Sequence, residues 1–147
     1  MARKSKAVVL DSWAVLAYLE GESSGPAVAD LIVQAQENSH PLYMSVVNVG
    51  EVWYILAREV SEADADRAIT DLQQLGIQFV DVTWQSARIA ATFKVKGKMS
   101  YADCFAAALA NEKKTELVTG YKEYKQVENE IKFVCVSGAR HGDVLRT

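Results

Sequence analysis

Ala7-Val-Val-Leu10 is an unbroken apolar run, and Asp11-Ser12-Trp13 follows it directly. Such a run reads as a strand buried on both faces, the situation of strands in a parallel sheet. Asp11 and Ser12 then offer side-chain oxygens that cap a helix, which the pattern predicts over about residues 13–19. A buried strand handing over to a helix is the opening of a βαβ unit.

The same alternation continues along the chain. Gly25-Pro26 opens a second helical stretch carried by Val28, Leu31, Ile32 and Ala35. Leu42-Tyr-Met-Ser45 is the second strand, and Val46 to about Arg58 is helical. Ser61-Glu-Ala-Asp64 is a capping-box signature ahead of Ala65, Ile69, Leu72 and Leu75. Gly76 ends that helix, and Ile77-Gln-Phe-Val-Asp-Val82 is the third strand. Thr83 caps a helix to about Val95, and Ser100 opens an Ala-rich one to about Lys113. Leu117-Val118 lies in a fourth strand ending at Thr119-Gly120, and Lys132-Phe-Val-Cys-Val136 is a fifth. Residues 137–147 read as a polar tail on a single domain spanning 1–147. This alternation predicts an α/β fold with a mostly parallel, roughly five-stranded sheet covered on both faces.

Composition narrows the function classes. Half of the 147 residues are apolar, enough for a real core, and a net charge of −3 argues against a generic polyanion binder. Any nucleic acid must be met through a local patch. Cys104 and Cys135 lack disulfide-scaffold or zinc-site spacing and read as reduced core residues. The basic start at Arg3-Lys-Ser-Lys6 resembles a signal peptide's n-region, but Asp11 interrupts the apolar run that follows. No stretch approaches a membrane span. A cytoplasmic protein without membrane association is expected.

In such a sheet, ligands bind at the carboxyl ends of the strands. Asp11 follows strand one, Glu51 lies in the early turns of the helix after strand two, and Asp103 opens a helix that must run antiparallel to strand four. Glu123 leaves strand four at the same edge. Each acid also has a plain explanation. Asp11 caps a helix, Glu51 closes a capping box with Asn48, and Asp103 closes one with Ser100. Their convergence is harder to dismiss, because gathered carboxylates repel unless a cation or protons intervene. A hard cation such as Mg²⁺ or Mn²⁺ suits all-oxygen ligands, and neither His40 nor His141 has a partner motif. Acid-bound Mg²⁺ with retained water suits phosphodiester hydrolysis. Lys94, Lys96, Lys98 and Lys122 would then meet substrate phosphates, although surface lysines are commonly just solvated.

Val8-Val-Leu-Asp11-Ser12, Ser45-Val-Val-Asn-Val-Gly-Glu51-Val and Ser100-Tyr-Ala-Asp103-Cys-Phe-Ala-Ala-Ala-Leu109 before Leu117-Val-Thr-Gly120 together resemble the PIN domain, and in particular the VapC-type toxins. The resemblance covers nearly the whole chain; the ordered combination is specific, although no single motif is. It implies a three-layer α/β/α sandwich, a homodimer, Mg²⁺- or Mn²⁺-dependent endoribonuclease activity on RNA, and neutralisation by a small VapB-like antitoxin. Asp11, Glu51 and Asp103 match the family's metal-coordinating acids, with Ser12 and Thr119 as supporting hydroxyls. Asp11 and Asp103 would hold the metal, and Glu51 would orient or deprotonate the attacking water. One departure stands out. Tyr121 occupies the position where the family carries a fourth Asp, and a neutral phenol is a poor Mg²⁺ ligand, with Glu123 the nearest substitute.

Tyr121 therefore motivates an alternative, a catalytically weakened PIN-like protein that binds RNA or an antitoxin. A haloacid-dehalogenase-type phosphatase also starts with Asp after strand one, but it needs Asp-x-Asp, and position 13 is Trp13. Trp13, Trp53 and Tyr54 beside the acids fit either core packing or an interface.

Overall fold

The computed structural model describes residues 7–120 and the backbone of Phe133–Cys135. Tyr121, Lys122, Glu123, His141 and the tail at 137–147 lie outside the described residues, as does the side chain of Cys135. The elements run β1 (Val8–Leu10), α1 (Ser12–Leu19), α2 (Gly25–Glu37), β2 (Leu42–Ser45), α3 (Val46–Glu59), α4 (Glu62–Gln74), β3 (Ile77–Val80), α5 (Trp84–Lys96), α6 (Tyr101–Lys113), β4 (Glu116–Thr119) and β5 (Phe133–Cys135).

All pairings are parallel, in the order β3-β2-β1-β4-β5. The chain grows outward from β1 through β2 to β3, then returns to place β4 on the other side of β1. That reversal puts the topological switch point between the carboxyl ends of β1 and β4, where open α/β sheets form a crevice.

Strand side chains alternate between two buried clusters, as the two-residue period of a strand requires. Leu10, Leu42, Met44 and Val118 join residues of α1 to α4, including Leu16, Ile32 and Leu72. Val9 and Leu117 join Phe93, Met99, Phe105 and Leu109 around α5 and α6. Both clusters are therefore fed by the same central strands, which explains why those strands read as unbroken apolar runs. Helix α6 is buried continuously from Asp103 to Ala110, and its alanines allow neighbours to approach from several sides.

Boundaries differ from expectation in one instructive place. The third strand ends at Val80, not Val82, because its partner β2 ends where Ser45 pairs with Val80 and the chain turns into α3. Asp81 and Val82 are left exposed with no strand to pair with.

Trp13 settles into the core at 1% exposure. Its ring lies against Gly120, where an added Cβ would fall 2.3 Å from Trp13 Cζ2. A glycine is required there by close approach, not by backbone angle. Gly120→Ala is expected to cost about 1–3 kcal/mol through overpacking, measured by thermal melts and a shift in tryptophan emission. An unchanged melt would contradict this packing. Trp53 instead donates its ring N–H to Asp66 at 2.8 Å, tying α3 to α4. Tyr54 is half exposed, with the Arg58 guanidinium 5.2 Å from its ring centre. No helix among the described residues is long and apolar enough to cross a membrane.

Candidate active site

Asp11 is the first residue beyond β1 and is fully buried. Its Oδ1 accepts the backbone N–H of Ala14 at 2.9 Å, which makes it the N-cap of α1. Its Oδ2 accepts the Thr119 hydroxyl at 2.5 Å, across the switch point from the end of β4. The capping explanation thus holds for Asp11, but it accounts for one oxygen only.

Glu51 arrives from α3, and its Oε1 accepts the Ser12 hydroxyl at 2.5 Å. Asp103 enters from the first turn of α6, nearly buried at 8% exposure. Its backbone N–H is held by the Ser100 hydroxyl at 3.1 Å, so the Ser100 cap exists. The expected box between Asn48 and Glu51 does not. Ser45 is the N-cap of α3, accepting from Val47 N–H. Asn48 lies inside the helix, where its side chain reaches the Ala102 carbonyl at 3.1 Å instead.

Electrostatics link these groups. Burial pushes the Asp11 carboxyl up to about 7, against the hydrogen bonds from Thr119 and Ala14 that favour its charged form. The charges of Asp103 and Glu51 push it further in the same direction, so two acids from distant parts of the chain act on Asp11. They do not close into a cage: among the described residues no three His, Cys, Asp or Glu side chains are gathered tightly enough to surround an ion. Asp11 and Glu51 are each tied to a hydroxyl, Thr119 and Ser12 respectively.

The donor set nevertheless fits a small hard cation. It consists of carboxylate oxygens, and the buried amide oxygen of Asn48, on the same helix as Glu51, has no hydrogen-bond partner among the described residues. Each carboxylate oxygen of Asp11 keeps a second lone pair after accepting its hydrogen bond. Softer chemistry has little to work with. Cys104 is buried and free, and burial raises its thiol to about 11, which suppresses the reactive thiolate. His40 stands at the amino end of β2, the opposite edge of the sheet from Asp11.

Lys94, Lys96 and Lys98 are exposed around the end of α5. Lys94 is partly committed, since its ammonium donates to the Met99 carbonyl at 2.7 Å, just before Ser100 and the start of α6. Two features escaped sequence reasoning. The pairing of Ser12 with Glu51 joins residues 39 apart in sequence and depends on tertiary placement. The Asn48 clamp had a weak signal, a polar residue on a helix face otherwise set with Val and Leu.

A parallel α/β domain with a buried acid held across its switch point defines a recognisable class. The PIN domain model matches residues 8–130, and the chain belongs to the PIN domain family. Its fold is shared by solved toxin–antitoxin structures. VapBC2 from Rickettsia felis, bound to a promoter DNA fragment, matches with a TM-score of 0.69 at 13% identity, covering 88% of this chain and 98% of the other. VapBC-1 from nontypeable Haemophilus influenzae matches with a TM-score of 0.69 at 14% identity over 88% and 98%. The sarcin–ricin-loop-cleaving toxin VapC20 from Mycobacterium tuberculosis matches with a TM-score of 0.58 at 20% identity over 75% and 86%. At these identities the likeness is one of fold. A comparison with curated proteins finds no match.

Proposed function

We propose that this chain is a VapC-type toxin, a Mg²⁺- or Mn²⁺-dependent endoribonuclease that hydrolyses RNA phosphodiester bonds. The observation that carries the reading is the buried Asp11, hydrogen-bonded to Thr119 and raised in pKa in part by the charges of Asp103 and Glu51. Asp11 and Asp103 would hold the cation, with Glu51 and Glu123 as further acids. When bound, the cation supplies a water of lowered pKa and offsets charge building on the phosphate. Glu51 is suited to orient that water and take its proton, and Ser12 steers the carboxylate by donating to one oxygen. Thr119 fixes Asp11. Lys94, Lys96, Lys98 and Lys122 would bind the RNA backbone.

The whole chain, 1–147, is read as one domain, a three-layer α/β/α sandwich on a five-stranded sheet. A homodimer, a VapB-like antitoxin and a cytoplasmic setting complete the proposal. The PIN family membership and the VapBC neighbours support the partner. The test is incubation of the full chain with RNA and Mn²⁺. Cleavage that stops on chelation and returns with added metal is expected, whereas equal cleavage in chelator would refute metal dependence.

Tyr121 favours a second reading, a weakened enzyme that binds RNA or antitoxin without efficient turnover. Restoring an acid there by Tyr121→Asp is expected to strengthen Mn²⁺ binding. Calorimetry showing weaker binding would contradict the position assigned to this residue.

A further inference from the structure

Asn48 is fully buried, yet only half of its amide is used. Nδ2 donates to the Ala102 carbonyl at 3.1 Å, while Oδ1 has no hydrogen-bond partner among the described residues. The bond fixes which atom is which, because the reverse orientation would set two carbonyl oxygens against each other. Burying an acceptor without a donor carries a desolvation penalty that folded proteins seldom leave uncompensated. Clamping α3 to α6 uses the amide nitrogen alone and leaves the oxygen without a task.

Its place in the fold suggests what the oxygen is for. Asn48 and Glu51 are three residues apart on one side of α3. The carbonyl it holds belongs to Ala102, the residue before Asp103. Asn48 thus sits between the two helices that deliver two of the three acids, and those acids act electrostatically on Asp11.

We propose that Asn48 is a positioning residue of the acidic site, its amide nitrogen fixing the first turn of α6 and its amide oxygen accepting from a hydration water of the divalent cation. This rests on reading the acids as a cation site. The role is that of an outer partner, which orients what the carboxylates hold without needing to touch the ion.

The experiment is Mn²⁺ calorimetry on the metal-free full chain at pH 8, below its melting temperature, with Asn48→Ala and Asn48→Asp. Loss of an outer partner is expected to weaken Mn²⁺ binding by about 10–100-fold in Asn48→Ala. Asn48→Asp cannot donate to Ala102 and should melt lower. It keeps acceptor oxygens, however, and is expected to bind Mn²⁺ at least as tightly as the parent. A purely structural clamp predicts another pattern: both variants melt lower, with Mn²⁺ affinity unchanged in Asn48→Ala or equally weakened in both. Either result overturns the proposal, as does failure of both variants to fold. A parent chain that binds no Mn²⁺ overturns the cation site itself, and Asn48's role with it.

Discussion

Asp11→Asn is expected to make the metal-free protein harder to unfold at pH 8 even as it removes an acid the proposed reaction needs. The carboxyl's pKa rises from 3.8 in the free side chain to about 7 in the fold, chiefly through burial. The folded state therefore binds this proton more tightly than the unfolded chain does. Stability from this group is whole below about pH 4, falls as pH rises towards 7, and stays low above it. At about 1.4 kcal/mol per pKa unit, the ionised Asp11 costs the fold on the order of 4 kcal/mol at pH 8. Asn escapes that cost while remaining a good N-cap for α1, and its amide can donate to the Thr119 hydroxyl. Melts in chelator at pH 5 and pH 8 check the sign. The parent should lose stability across that interval more steeply than Asp11→Asn; an Asn variant less stable than the parent at pH 8 would contradict the assignment. Mn²⁺ should reverse the order, since binding to the native state stabilises only the chain that keeps the carboxylate.

Glu51→Gln and Asp103→Asn separate the two jobs assigned to the acids. Glu51→Gln still offers Ser12 an acceptor, so the fold should hold. Loss of the proton acceptor should lower turnover by about 10²–10⁴-fold, with Mn²⁺ affinity changed far less. Asp103→Asn removes an anion from the cation site and should lower both cleavage and Mn²⁺ affinity. RNA cleavage rates read beside Mn²⁺ calorimetry distinguish them. Full cleavage by either variant would remove that residue from the mechanism.

Asp11 also shows which parts of the site were legible in sequence. It follows a continuous apolar run of the kind expected of a strand with both faces covered, so its place at the carboxyl edge follows from local chemistry. Asp103 was placed by direction alone, because its helix had to return before strand four. The supporting roles of Thr119 and Ser12 come only from the family resemblance. Their partners, Asp11 and Glu51, depend on β1 lying beside β4 and α1 lying beside α3, which no local pattern encodes.

The misreadings have the same origin. Val82 extends a β-rich run, but a strand lasts only while a neighbour is there to pair with it, and β2 had already become α3. Asn48 looked like a cap because its spacing to Glu51 suits one. Ser45 supplies the cap, and Asn48 turns towards α6. Trp13 and Tyr54 are both large aromatics in the sequence, yet one fills the space over Gly120 and the other stays half in solvent.

Crystals of the full chain soaked in Mn²⁺ test the shared-cation claim most directly, through anomalous difference density. The expected result is a peak at the carboxyl edge of β1, with oxygens of Asp11 and Asp103 about 2 Å away, as small hard divalent cations require. A Mn²⁺-soaked crystal with no peak beside Asp11, or with the ion bound elsewhere, would contradict it.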